Sequence, residues 1–101
     1  MFDDLMGDLQ KQQEEIQKKL ETKEVTEEVQ GIKIVGNAAK KIISVSIQQD
    51  IFDKGDKEML EDLMIEAFNR FMASAVKIEA EETKKLMNDM LPPGFEDLFK
   101  Q

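Results

Sequence analysis

The chain has 101 residues with 14 basic and 22 acidic side chains, a net charge of −8. Histidine, cysteine, tryptophan and tyrosine are all absent, which excludes disulfides, thiolate nucleophiles, imidazole acid–base chemistry and nearly every transition-metal centre. An apolar fraction of 41% suits one small domain with a thin core, and favours a binding or structural role over catalysis.

Charge divides the chain into three blocks, with residues 1–30 at −5, 31–50 at +2 and 51–101 at −5. The first block predicts a helix over about residues 3–21. Phe2, Met6, Leu9, Gln13, Ile16 and Leu20 follow alternating steps of four and three, a narrow stripe that needs a partner helix. Acids and lysines occupy the opposite face, and an isolated helix of this kind is marginal in water.

After Thr22 the period becomes two. Val25, Glu27 and Val29 alternate with Thr26, Glu28 and Gln30, a half-buried strand over about 24–30. Gly31 breaks it, and residues 32–36 form a second short strand ended by Gly36–Asn37 turn chemistry. Ile43, Val45 and Ile47 alternate with Ser44 and Ser46 in a third strand over about 40–48. Connections this short permit only an antiparallel meander, whose apolar face must be covered by a helix or by another copy of itself.

A long helix is predicted over about 56–90, with Asp53 or Asp56 as its N-cap and acids in its first turns. Leu60, Leu63, Met64, Ala67, Phe68, Phe71, Met72, Ala75 and Val76 form a broad stripe suited to the sheet. Beyond Val76 the stripe thins. The helix is roughly 50 Å long at 1.5 Å per residue, more than three strands can cover, so its second half projects. Leu91–Pro92–Pro93–Gly94 stops it, and residues 91–101 form a short tail carrying Phe95, Leu98 and Phe99. The architecture is α+β in the order α–β–β–β–α, one domain over 1–101.

No phosphate loop or catalytic signature is present, and neither an enzyme, a cofactor nor a small-molecule substrate is expected. The acidic doublets, Glu81–Glu82 among them, read as solvated faces because adjacent helical residues point about 100° apart. Asp50 to Glu61 has the Asp, Gly and Glu of a calcium loop at positions one, six and twelve. Phe52 and Lys54 stand where ligands are required, so a capped strand-to-helix turn is expected and no metal. The first twenty residues are acidic and interrupted by charge, unlike a signal or transit peptide. No stretch approaches 18 apolar residues. A cytoplasmic location without membrane attachment is the expectation.

The first-helix seam and the Leu60–Val76 stripe offer more apolar surface than one copy can bury. A homodimer is therefore expected, with Leu9, Ile16, Leu60, Met64, Phe68, Phe71 and Met72 as core or interface residues.

Two stretches resemble the YbaB/EbfC family of nucleoid-associated DNA-binding proteins. Val45-Ser-Ile-Gln-Gln-Asp-Ile-Phe followed by Asp56-Lys-Glu-Met-Leu-Glu-Asp-Leu-Met-Ile-Glu-Ala-Phe-Asn69 is similar to that family's third strand, turn and start of the long helix. Met90-Leu-Pro-Pro-Gly-Phe95 resembles its proline-rich stop, and an N-terminal Met-Phe before a Gln/Lys/Glu-rich helix agrees. The resemblance covers essentially the whole chain. It implies a tweezer-like homodimer in the nucleoid, binding double-stranded DNA with little sequence preference through projecting helical arms. Mapped by region, the implied DNA contacts are Lys11, Lys18, Lys19, Lys77, Lys84 and Lys85. Only Gly31 stands where the family often has a glycine-rich junction before its second strand. The alternative is a protein-interaction or holdase-like module that grips partners with the acidic arms and with Met87, Met90, Phe95 and Phe99 at their tips.

Overall fold

The computed structural model describes residues 2–90, and side chains from Asp4 to Asp89. The elements are α1 (Phe2–Glu21), β1 (Glu24–Val29), β2 (Ile32–Asn37), β3 (Ile42–Ile47), α2 (Gln49–Asp53) and α3 (Lys57–Met90). The strands form one antiparallel sheet in the order β1-β2-β3. This is the α+β arrangement expected from the change of hydrophobic period; the tail beyond Met90 lies outside the described residues.

Local chemistry sets each boundary. Thr22 Oγ1 donates to the Lys19 carbonyl at 2.7 Å and closes α1. Gln30 (φ 44°) and Gly31 (φ 93°) make a two-residue turn with both central residues at positive φ, the geometry whose twist matches a hairpin. The β1–β2 register follows, from Val29 opposite Ile32 to Glu24 opposite Asn37.

Gly36 and Asn37 differ from expectation: both belong to β2, and the turn follows them. The Asn37 side-chain oxygen accepts the N–H groups of Ala39 at 3.0 Å and Lys41 at 3.2 Å, so this asparagine organises the turn from within the strand. Gly36 marks an irregularity instead. Val35 pairs with Ser44 but Gly36 with Ile42, leaving Ile43 as an extra residue. A Cβ on Gly36 would stand 2.1 Å from the Lys41 carbonyl oxygen and 2.6 Å from Phe71 Cζ, so only glycine fits.

The one-turn α2 was not anticipated. Gln49 Nε2 donates to Asp53 Oδ1 at 2.8 Å across it, and Asp56, not Asp53, caps the long helix by accepting the Met59 N–H at 3.0 Å. Asp53 and Asp56 thus serve helix ends. Among the described residues no three His, Cys, Asp or Glu side chains gather as a metal-binding group.

Leu63, Ala67, Phe71 and Ala75 repeat every four residues along α3 and are all buried. The two alanines let the helix lie close over β1 and β2. Below it are Val25, Val29, Ile32 and Ile34, and Leu20 of α1 closes one end. Each large side chain in this layer contributes about 1.5–3 kcal/mol of burial. The helix does not extend the same cover to β3, where Ile43 is 65% and Val45 40% exposed. The radius of gyration, 19.1 Å, compares with about 13 Å for a compact chain of this length. The difference comes from helices that outrun the sheet.

Candidate nucleic-acid interface

The projecting part consists of α1 and the second half of α3. Gln13, Ile16 and Leu20 of α1 border a groove of about 620 Å³ with Met87, Thr83, Ala80 and Val76 of α3, so the helices run antiparallel. The seam opens toward the start of α1. Leu20 is 1% exposed, Ile16 is half-buried, Leu9 is 45% and Met6 57% exposed.

The six arm lysines fall into two groups. Lys11, Lys18, Lys77 and Lys84 are exposed, and among the described residues none of them lies within 4.0 Å of a carboxylate. Lys11 and Lys18 are seven residues apart, as are Lys77 and Lys84. Each pair therefore shares a helix face at about 10.5 Å separation. Lys19 and Lys85 are engaged instead. Lys19 Nζ is 2.9 Å from Glu82 Oε2, and Lys85 Nζ is 3.7 Å from Glu82 Oε1. Lys23, in the connection to β1, approaches Glu82 Oε1 at 3.2 Å.

Glu82 corrects an expectation. Its side chain is only 5% exposed, not part of a solvated acidic doublet. Counting back from it, 82, 78, 75, 71, 67 and 63 are spaced by three and four, which puts it on the buried stripe of α3. Glu81 next to it is exposed, as adjacency on a helix requires. The Lys19 hydrogen bond holds the Glu82 carboxyl down to about 2 from an ordinary 4.5; desolvation opposes this and Lys23 reinforces it. In the sequence Glu82 reads as one of a solvated doublet and Lys23 as one of a basic cluster with Lys18 and Lys19; the interruption of an otherwise apolar stripe was the available signal that they pair. Lys40, which with Lys41 reads as a basic pair opening the third strand, reaches from the β2–β3 turn to Glu79 of α3 at 3.3 Å.

The residues expected in the core or interface separate in the same way. Phe71 is fully buried within the chain. Ile16, Leu60, Met64 and Phe68 are half-buried, while Leu9 and Met72 are exposed. Ser74 donates to the Glu27 carboxylate of β1 and so marks the β1 side of α3. At 100° per residue, Phe68, Met72, Ile65 and Val76 lie on the flank away from Ser74. Ile65, Met72 and Val76 are 59%, 38% and 49% exposed, and Phe52 of α2 is 61% exposed. Of the proposed tip residues, Met87 is 58% exposed, whereas the side chain of Met90 and all of Phe95 and Phe99 lie outside the described residues.

A three-stranded meander roofed by one long helix, with a second helix laid along its projecting half, defines a small α+β protein whose arms carry exposed lysines. Residues 1–90 match the YbaB/EbfC DNA-binding family. A nucleoid-associated protein of Clostridium kluyveri is 41% identical over 87 residues, covering 84% of this chain and 76% of its own. A second, from Clostridium novyi, is 36% identical over 98 residues, covering 92% and 86%. A third, from Mycoplasmopsis pulmonis, is 32% identical over 94 residues, covering 90% and 94%. The chain belongs to the YbaB/EbfC DNA-binding family. Among the described residues no helix is long and apolar enough to cross a membrane.

Proposed function

We propose that this protein acts in the nucleoid as a homodimer that binds double-stranded DNA with little sequence preference, through lysines on its helical arms. The observation that carries the reading is the match to a DNA-binding family over 90 of 101 residues. The nucleoid location follows the names of its relatives. Support for the contact comes from Lys11, Lys18, Lys77 and Lys84, whose ammonium groups face solvent on two helices. Lysine suits such a task because a point charge on a flexible stem neutralises phosphate without reading a base.

Support for the dimer comes from surface that one copy leaves open. The uncovered β3 residues Ile43 and Val45, together with Ile65, Met72 and Val76, give apolar area of the kind an isologous two-fold contact buries. β2 is the only neighbour of β3 among the described residues, so one strand edge is also open. A dimer carries twice the chain's −8, and its general field opposes DNA. Binding then depends on lysines concentrated where the arms meet phosphate.

Fluorescence anisotropy of a labelled duplex of about 30 base pairs, titrated at several salt concentrations, tests the reading. Dissociation constants below about 10⁻⁶ M near physiological salt, with a log–log slope reporting several phosphates, are expected. Changing Lys18 and Lys84 to glutamate weakens binding and flattens that slope while leaving the melting temperature within a few degrees. Absence of binding at about 50 mM salt overturns the reading.

A further inference from the structure

One carboxylate on the arms differs from the rest. The pairs Lys57–Glu61 and Arg70–Glu66 join exposed partners one turn apart on α3, and Lys40–Glu79 joins groups about 40% exposed. Such pairs are screened by water and salt and yield readily to a polyanion. Glu82 is turned inward, 5% exposed, and collects ammonium groups from the last turn of α1, from the α1–β1 connection and from α3 itself. The Lys19 and Lys85 side chains are well exposed, at 57% and 66%, yet their Nζ atoms lie within 4.0 Å of this carboxylate. Turning either lysine outward removes a partner from a carboxylate that water reaches poorly, and that opposes the move.

We propose that Glu82 is an internal competitor for phosphate, holding Lys19 and Lys85 out of a backbone contact that their places on the arms would otherwise allow. The inference rests on the duplex-binding reading above and divides the arm lysines into two classes. Lys11, Lys18, Lys77 and Lys84 carry the contact in the native protein. Lys19 and Lys85 join only when the charge on Glu82 is removed. Glu82 thus acts through the lysines it positions, and lowers affinity where a merely structural residue would support it.

The test measures duplex affinity across about 50–200 mM salt for the full chain and its variants, with far-UV circular dichroism to verify folding. Each phosphate contact contributes about 0.9 to the log–log slope. Lys19→Gln and Lys85→Gln leave the slope unchanged in the native background, whereas Lys84→Gln and Lys18→Gln each reduce it by about 0.9 for every protomer whose lysine meets phosphate, about 1.8 for a homodimer engaged through both copies. Glu82→Gln keeps the shape and an acceptor oxygen but loses the charge. It steepens the slope by roughly 1–2 per engaged protomer and tightens binding, and adding Lys19→Gln removes about half of that gain. Loss of affinity in Lys19→Gln equal to that in Lys84→Gln overturns the proposal, as does a Glu82→Gln slope equal to or below the native one. If Glu82→Gln does not fold, the four single lysine variants decide the matter alone. Failure of the native protein to bind duplex at all defeats the nucleic-acid reading and the role of Glu82 with it. That result is distinct from native binding with an unaltered Glu82→Gln slope, which defeats the role of Glu82 only.

Discussion

Replacing Gly36 by alanine tests the joint where the sheet meets α3. The new Cβ would stand 2.1 Å from the Lys41 carbonyl oxygen and 2.6 Å from Phe71 Cζ, both inside any tolerated contact. That oxygen is fixed because the Asn37 N–H donates to it at 3.0 Å, and the ring is fully buried. Overpacking typically costs about 1–3 kcal/mol, and more when backbone must shift. With backbone and ring both in the way, about 3 kcal/mol is expected, out of a total on the order of 5–15 kcal/mol. The melting temperature then falls by roughly 12–24 °C. The chain has neither tryptophan nor tyrosine, so urea unfolding is followed by far-UV circular dichroism, at one fixed protein concentration because association adds to stability. Phe71→Ala alone costs about 3–5 kcal/mol through lost burial and the cavity it leaves. It relieves the ring contact but not the oxygen, so Gly36→Ala still costs at least about 1 kcal/mol in that background. A Gly36→Ala protein within about 0.5 kcal/mol of native would refute the reasoning, as would full rescue by Phe71→Ala.

Glu82 sets a pH dependence, because its carboxyl is held down to about 2 in the folded chain against an ordinary 4.5. Its contribution is complete above about 4.5 and is lost as pH falls toward 2. Thermal melts from pH 6 to pH 2 should show a steeper acid loss in the native protein than in Glu82→Gln; parallel curves would count against the Lys19, Lys23 and Lys85 cluster. Val45→Lys combined with Met72→Lys introduces charge on the uncovered β3–α3 surface. Light scattering is expected to return the 11.6 kDa monomer mass with helical content retained, and an unchanged dimer would move the interface elsewhere. Gln30 has φ 44°, a conformation asparagine adopts more readily, so Gln30→Asn is expected to raise stability by roughly 0.5–1 kcal/mol in the same urea assay. A loss of stability would show that the Gln30 side chain has a role of its own.

Much of the fold was legible because period is a physical signal: steps of three and four before Thr22 and after Asp56, steps of two between them. What was misjudged had other causes. Five residues of α2 are too few for any helical period to register. Gly36–Asn37 reads as a turn because those residue types favour turns, yet each acts here through a different property. Glycine admits a neighbouring carbonyl and ring, and asparagine lends its side chain to a turn one residue later. Glu82 was judged by its neighbour Glu81, although burial on a helix follows the three- and four-residue steps. The division of the arm lysines could not be read at all. It depends on which ammonium groups from distant parts of the chain reach one carboxylate, and that is a property of packing.

The 34 residues of α3 form one uninterrupted helix whose first half is bolted to the sheet through Leu63, Ala67, Phe71 and Ala75. Roof and arm are therefore a single lever with its fulcrum near Ala75. The fifteen residues beyond it span about 22 Å, so tilting the helix by ~10° on the sheet carries its end about 4 Å. Small changes in how the helix seats on the sheet are thereby translated into the position of the arm's far end. Since no hinge interrupts the rod, selection could alter the reach of the molecule by adding or removing turns at its far end without disturbing the core that anchors it.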